Sequence, residues 1–256
     1  MYPPIIPLIL CLSFISELSA ETIKVCYDHY PPSTIFTTNE SKNRGFSIDL
    51  ITHIFEKKGF TVGYLEAPYA RSLKMVESGY CDIQGEATRD MNLEGILYPN
   101  EGTYTAVYSA YTGQDNPIMV NEISGLKGLR IASISGYRYA LINMQYHEFL
   151  QQVNKKNLTI LTGDQAPGRV LEMLSFQRVD IFVESDLLVE NFIKENPHVK
   201  VRKLFSIGKL LPYPGFSKSS KRSRKLMEIW DKGRAEARRS GLDLYIKKKS
   251  LESDLR

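Results

Sequence analysis

The chain alternates short apolar strands with amphipathic helices, and it does so twice. Thr22 to Pro32, "TIKVCYDHYPP", predicts a strand that stops at a Pro-Pro turn. In "FSIDLITHIFEKKG", Ile48, Ile51, Ile54 and Phe55 recur at helical spacing and Gly59 ends the run. "FTVGYLEA" is a second strand, "YARSLKMVESG" a helix with Leu73 and Val76 inward, and "CDIQG" a third strand. The order restarts at Leu129 with strand "LRIASISG", helix "YALINMQYHEFLQQV", strand "LTILTG", helix "GRVLEMLSFQ" and strand "VDIFVES". Helix "LLVENFIKEN" and strand "VKVRKLFS" follow. A β-α-β-α-β order predicts a parallel sheet with helices on its faces. Two such units are expected, divided near Tyr104 to Pro117. The tail "KLMEIWDKGRAEARRSGLDLYIKKK" reads as helix, belongs to neither unit, and is expected to pack back on the first.

The 256 residues suffice for one large domain or two small ones. The first twenty read differently from the rest. Ile5 to Ile15 is almost wholly apolar and Leu18-Ser19-Ala20 offers a small residue at a plausible cut, the layout of a secretory signal too short to span a bilayer. Its removal leaves 33 basic against 28 acidic residues. Much of the excess lies in "SKSSKRSRK", Ser217 to Lys225, which no aromatic residue interleaves. A solvated helix face is expected there, and nucleic acid is not an expected partner. Cys26 and Cys81 remain after cleavage; in an exported protein they are either a disulfide or two buried thiols.

No Gly-x-Ser-x-Gly, His-Glu-x-x-His, Cys-x-x-Cys or phosphate loop occurs. His29, His53, His147 and His198 lie on different elements without partners at metal-ligand spacing. Neither metal nor cofactor is expected. In open α/β sheets ligands sit outside the carboxyl ends of the strands. Those ends are Asp28 to Pro32, Glu66 to Tyr69, Gly85 to Arg89, Ser135 to Tyr137 and Glu184 to Asp186. They are rich in Tyr, Arg, acids and Gly-hydroxyl pairs, which suits a polar, zwitterionic small molecule.

The order of these motifs resembles the periplasmic solute-binding proteins of the family-3 type, the amino-acid-binding components of ABC importers. The resemblance runs over residues 22–247. It is carried by "VCYDHYPPSTIF", "NRGFSIDLITHIFEKKGF", "MVESGYCDI", "ISGLKGLRIASISG", "LEMLSFQRVDIFVESD" and the closing stretch "GFSKSSKRSRKLMEIWDKGRAEARRSGLDLYIKKK". It implies an α/β, two-lobe periplasmic-binding-protein-like clamp. Each lobe is a mostly parallel sheet with helices on both faces, and two crossover strands near Tyr104–Thr112 and Leu210–Phe216 join them. Residues 1–20 are the signal peptide, 21–108 the first part of lobe 1, 109–212 lobe 2, and 213–256 the return to lobe 1. The resemblance makes strands one and three of lobe 1 neighbours, which brings Cys26 and Cys81 within bridging range if the register allows.

It also implies an arginine just past the third strand that grips an α-carboxylate. Thr88-Arg89 fits that role, and a guanidinium grips carboxylate in a bidentate, planar way. Asp82 to Arg89 is shorter than the usual segment, so Arg71, in "PYARSL", stays a competitor. In lobe 2, Ser135-Gly136-Tyr137 ends a strand before a helix, where amides and a hydroxyl can hold an anion or Ser135 can simply cap the helix. The family's ammonium-binding acid falls by alignment on Ser185, between Glu184 and Asp186. Strand alternation puts those two on one face, and Glu184 is the favoured one. Tyr30 and Tyr69, with Phe36, are candidate pocket walls. Glu86 is either a pocket acid, a partner to Arg89 or a catalytic acid.

The leading expectation is a monomeric, periplasmic protein that binds an amino acid or related zwitterion for an ABC permease or a membrane sensor. The rival is an enzyme on the same clamp, similar to cyclohexadienyl dehydratases, with Glu184 or Glu86 raised in pKa by burial. A third reading is a sensory module acting with a membrane receptor.

Overall fold

The computed structural model describes residues 20–37, 44–89, 93–163 and 165–253. The expected signal segment lies outside the described residues as far as residue 19. No helix among the described residues is long and apolar enough to cross a membrane.

The strands fall into two five-stranded sheets. The first holds β1 (Thr22–Tyr27), β2 (Thr61–Glu66), β3 (Ile83–Ala87), β4 (Ile96–Leu97) and β10 (Tyr213–Ser217), in the order β2-β1-β3-β10-β4. The second holds β5 (Ala106–Gly113), β6 (Ile131–Ile134), β7 (Leu158–Leu161), β8 (Ile181–Ser185) and β9 (Val201–Leu210), in the order β7-β6-β8-β5-β9. Each has the same plan. Three parallel strands, β2-β1-β3 or β7-β6-β8, are followed by a fourth that runs antiparallel. The fourth strands are exchanged along the chain. β5 leaves the first unit to pair with β8, and β10 leaves the second to pair with β3. The two-lobe α/β fold with mostly parallel sheets expected from the sequence is therefore present, one strand in each sheet running against the rest.

The helices form where the apolar spacing places them. α1 (Phe46–Glu56) buries Ile48, Ile51, Ile54 and Phe55 against Ile23, Val25 and Tyr27 of β1. α2 (Tyr69–Glu77) buries Val76 beside the Cys26–Cys81 disulfide. The disulfide is formed, with Cα atoms 6.0 Å apart. Parallel pairing sets Cys26 opposite Gln84, so Cys81 stands just ahead of β3. The tail packs on the first sheet: Leu226, Trp230 and Ala237 join its core, and Arg222 donates to Asp82 Oδ1 at 2.9 Å.

One expected helix is broken. The stretch from Tyr139 divides into α3 (Tyr139–Ile142) and α4 (Met144–Gln152). Asn143 between them is extended, its side chain accepts from Tyr146 N, and its Nδ2 donates to Ile207 O at 2.9 Å. An Asn side chain competes with the backbone for such bonds, which is why it caps rather than continues a helix. The tail divides into α7 (Ser223–Ser240) and α8 (Leu242–Ser253) at Gly241, whose φ of 73° is the left-handed stop. The remaining helices of the second unit, α5 (Ala166–Ser175) and α6 (Asp186–Glu195), fall where expected.

Candidate functional site

The parallel strands of both sheets point their carboxyl ends at one cavity of about 470 Å3. β1 delivers Asp28, His29 and Tyr30, β2 delivers Pro68 and Tyr69, and β3 delivers Glu86 and Thr88. From the second sheet, β6 delivers Ser135, Gly136, Tyr137 and Arg138, and β7 delivers Gly163. Tyr104, ahead of β5, and Tyr108, on it, also line the cavity. A smaller crevice of about 120 Å3 lies on the outer surface between α1 and α7, remote from the strand ends.

A buried carboxylate anchors the second-sheet wall. Glu184 is wholly buried at the end of β8. Its Oε1 accepts from Tyr30 OH at 2.8 Å and from Ser185 N at 2.6 Å, and its Oε2 accepts from Tyr137 OH at 3.0 Å. The Tyr30 and Tyr108 hydroxyls lie 3.4 Å apart. Tyr30 follows β1 of the first sheet, so this bond joins the two lobes at the floor of the cavity. Burial pushes the Glu184 carboxyl up to about 7, against the lowering effect of the three donors. The same burial, with Glu184 beside them, pushes the Tyr30 and Tyr137 hydroxyls well above their ordinary range, so both remain donors.

Glu86 stands on the first-sheet wall. Its Oε1 accepts from Ser47 Oγ at 2.5 Å, and Tyr104 OH lies 3.5 Å from Oε2. Burial and the neighbouring Asp28 push its carboxyl up to about 8, in spite of the hydroxyls of Ser47, Ser33 and Tyr104. Arg138 also lines the cavity, close enough to Tyr69 to lower that phenol against the larger upward effect of burial. His29 Nδ1 accepts from Phe36 N at 3.1 Å, which requires that nitrogen to be unprotonated.

Seven residues expected at the site from the sequence line the cavity: Tyr30, Tyr69, Glu86, Thr88, Ser135, Gly136 and Tyr137. Glu184 supports it from behind through Tyr30 and Tyr137. Asp186 stands elsewhere. It accepts from Tyr111 OH at 2.8 Å and pairs with Lys203 Nζ at 2.7 Å. The alternation argument that grouped it with Glu184 does not apply, because β8 ends at Ser185 and Asp186 opens α6. Arg89 stands next to Thr88 but is not part of the cavity lining. Its guanidinium lies 4.4 Å from the Tyr213 ring centre and donates to Pro99 O at 2.5 Å. Arg71 is exposed on α2 and is not part of the lining.

The helix after Ser135 is one turn long and starts at Tyr139 with Arg138 at its cap position and no side-chain cap. The amides of Ser135 and Tyr137 are already bonded to Leu161 O and Ile134 O. The Arg138 side chain lines the cavity at this end. Sequence reasoning did not single out Arg138, Tyr104 or Tyr108, which also line the cavity. The rule that found Tyr137 would have found Arg138 one residue further on, and Asp28 opened a strand end already noted. Among the described residues no group of three or more His, Cys, Asp or Glu is placed to hold a metal ion.

No protein-family model matches the sequence. No curated protein matches it either. Solved structures do. A probable amino-acid ABC transporter extracellular-binding protein from Bacillus subtilis superposes with a TM-score of 0.74 at 17% identity, over 92% of this chain and 99% of that one. A histidine kinase sensor domain with similarity to periplasmic binding proteins gives 0.71 at 18% identity, over 91% and 97%. An amino acid ABC transporter substrate-binding protein from Streptococcus pneumoniae, bound to L-arginine, gives 0.71 at 16% identity, over 92% and 96%. At these identities the likeness establishes the two-lobe fold of periplasmic binding proteins.

Proposed function

We propose that the protein binds a small polar solute, an amino acid or related zwitterion, in the cleft between its lobes. The lobes are taken as 21–108 with 213–256, and 109–212. The carrying observation is one cavity lined by the Arg138 guanidinium on the second-sheet side and by the carboxyl groups of Asp28 and Glu86 on the first. An α-carboxylate on Arg138 and an ammonium toward the acids satisfies both walls at once. The family resemblance and the neighbours that serve ABC transporters support uptake as the purpose, and the sensor-domain neighbour supports sensing in partnership with a membrane receptor. Either purpose places the protein in the periplasm after removal of residues 1–20. In this reading Arg138 holds the carboxylate, while Arg89 ties the end of β3 to Tyr213 and Pro99.

A thermal-shift screen with amino acids, polyamines and small carboxylates tests the reading. A solute that binds only the folded state adds about 2.7 kcal/mol at a hundredfold excess over Kd. At least one zwitterion is expected to raise the midpoint; no shift from any of them contradicts the proposal.

A second reading rests on Glu86, a carboxyl that holds its proton near neutral pH at the wall of a cavity. That is the state a general acid needs. Turnover of prephenate or arogenate by the purified protein would replace the carrier reading with an elimination enzyme, and its absence leaves the carrier.

A further inference from the structure

Tyr30 belongs to the first unit and reaches into the second. The turn that carries it, Tyr30 to Thr34, closes on itself. Tyr30 N donates to Thr34 O at 2.9 Å and to Thr34 Oγ1 at 3.1 Å. Tyr30 O accepts from Ser33 N and Thr34 N, each at 3.1 Å, and from Ser33 Oγ at 2.9 Å. The same turn is bonded to the start of α1, where Phe46 N donates to Pro32 O at 3.2 Å and Ser47 N to Ser33 O at 3.0 Å. Ser33 and Thr34 are buried. The backbone behind Tyr30 is therefore fixed to the first unit. Its side chain is committed to the other. The ring packs against the core cluster that includes Ala132, Phe182 and Leu188, and the hydroxyl donates to Glu184 Oε1 at 2.8 Å. The acceptor is held as firmly from its own side: Ser185 N donates to Oε1 at 2.6 Å and Tyr137 OH to Oε2 at 3.0 Å.

We propose that Tyr30 and Glu184 form a latch between the lobes that needs no solute. Both partners belong to this chain, and each is positioned by its own lobe, so shutting the latch orders little that is not already ordered. A hydroxyl that donates to a buried carboxylate makes one of the stronger hydrogen bonds. Hinge opening has to break it and withdraw the Tyr30 ring from the second lobe's core. While the latch is shut, the Glu184 oxygens are taken by Tyr30, Tyr137 and the Ser185 amide, so Glu184 is closed to a solute's ammonium. The latch goes beyond the binding reading, since it is the same whatever the cavity takes.

Spin labels at Lys58→Cys and Lys155→Cys test it. Both positions are exposed; Lys58 precedes β2 and Lys155 precedes β7, so each label sits at the end of its sheet away from the cavity. The protein is freed of bound small molecules by dialysis in mild denaturant and measured by pulsed dipolar spectroscopy with no solute added. The pH is set at 8, above the value of about 7 for Glu184. Expected for the otherwise wild-type protein is a dominant distance that matches the lobe placement in the structure. Tyr30→Phe keeps the ring and removes the donor, and its closed-to-open ratio should fall roughly ten- to a hundredfold. Tyr137→Phe removes a donor to the same carboxylate from within one lobe, and should leave the ratio within about threefold.

Lobes that stand open without solute in the protein bearing only the labels overturn the latch. That measurement needs neither phenylalanine variant, so a Tyr30→Phe chain that fails to fold does not protect the idea. An unchanged ratio in Tyr30→Phe overturns it too, as does equal opening in Tyr137→Phe. None of these outcomes bears on the binding reading, which the thermal-shift screen decides separately.

Discussion

Glu184 concentrates the physics of the site in one side chain. It is wholly buried, and three donors from both lobes converge on its two oxygens. Truncation to alanine leaves the Tyr30 and Tyr137 hydroxyls and the Ser185 amide without their acceptor. Glu184→Ala is expected to cost roughly 2–4 kcal/mol in urea denaturation, while Glu184→Gln, which keeps an acceptor, costs less. The pH dependence has a definite sign. Glu184 and Glu86 titrate at about 7 and about 8 when folded and near 4.5 when unfolded. Through that window the folded protein holds protons that the unfolded chain has lost. Stability of the ligand-free protein therefore falls as pH rises from about 5 to 8, by up to about 1.4 kcal/mol per pH unit for each group. Asp180, held low by Arg130, acts only at more acid pH and does not mask the effect. The double variant Glu184→Gln with Glu86→Gln should flatten the profile; a wild-type profile that rises across the window contradicts the account. At this scale the sequence was half legible. Glu184, Tyr137 and Glu86 could be picked out because they end strands. The contact between Arg89 and Tyr213 was not legible, because nothing local reports that Tyr213, 124 positions away in the sequence, supplies its aromatic partner.

Among the elements, β3 carries Glu86 and Thr88 to the cavity, and it is the less securely paired neighbour of β1. β1 matches β2 over six residues but β3 only at Val25 and Cys26. The Cys26–Cys81 bond closes a 55-residue separation across this seam. Cross-linking of that length stabilises chiefly by restricting the unfolded chain, on the order of 2–4 kcal/mol. Reduction, or Cys26→Ser with Cys81→Ser, should lower the thermal midpoint and weaken solute binding together. Unchanged unfolding after reduction would show that the seam is held by β10 on its other side. Gly85 on the same strand is constrained too: a Cβ there would come within 2.5 Å of Ile48 Cδ1 and 3.0 Å of Tyr27 Cβ. The elements themselves were legible, since apolar period and glycine stops marked α1, α2, α5 and α6. The break at Asn143 was not, because Asn143 gains its second bond from Ile207, on a strand that local pattern does not connect to it.

At the scale of the whole molecule, two sheets of identical plan exchange their fourth strands, and the cavity lies where their carboxyl ends meet. The repeated β-α-β-α-β order made the two units readable. The exchange of β5 and β10 followed only from the resemblance, since a single strand's sequence does not say which sheet it joins. The Tyr30–Glu184 bond, between lobes, had no signal in local sequence at all. The central claim is that one solute bridges these lobes, with its carboxylate on Arg138. Calorimetric titration of the best carboxylate-bearing solute against wild type, Arg138→Ala and Arg89→Ala tests it most directly. A lost charge-assisted grip is worth about 1.5–3 kcal/mol, so Arg138→Ala should weaken binding by roughly ten- to a hundredfold. Arg89→Ala should change affinity by less than about threefold while lowering stability. Wild-type affinity in Arg138→Ala, with binding lost in Arg89→Ala, would contradict the account.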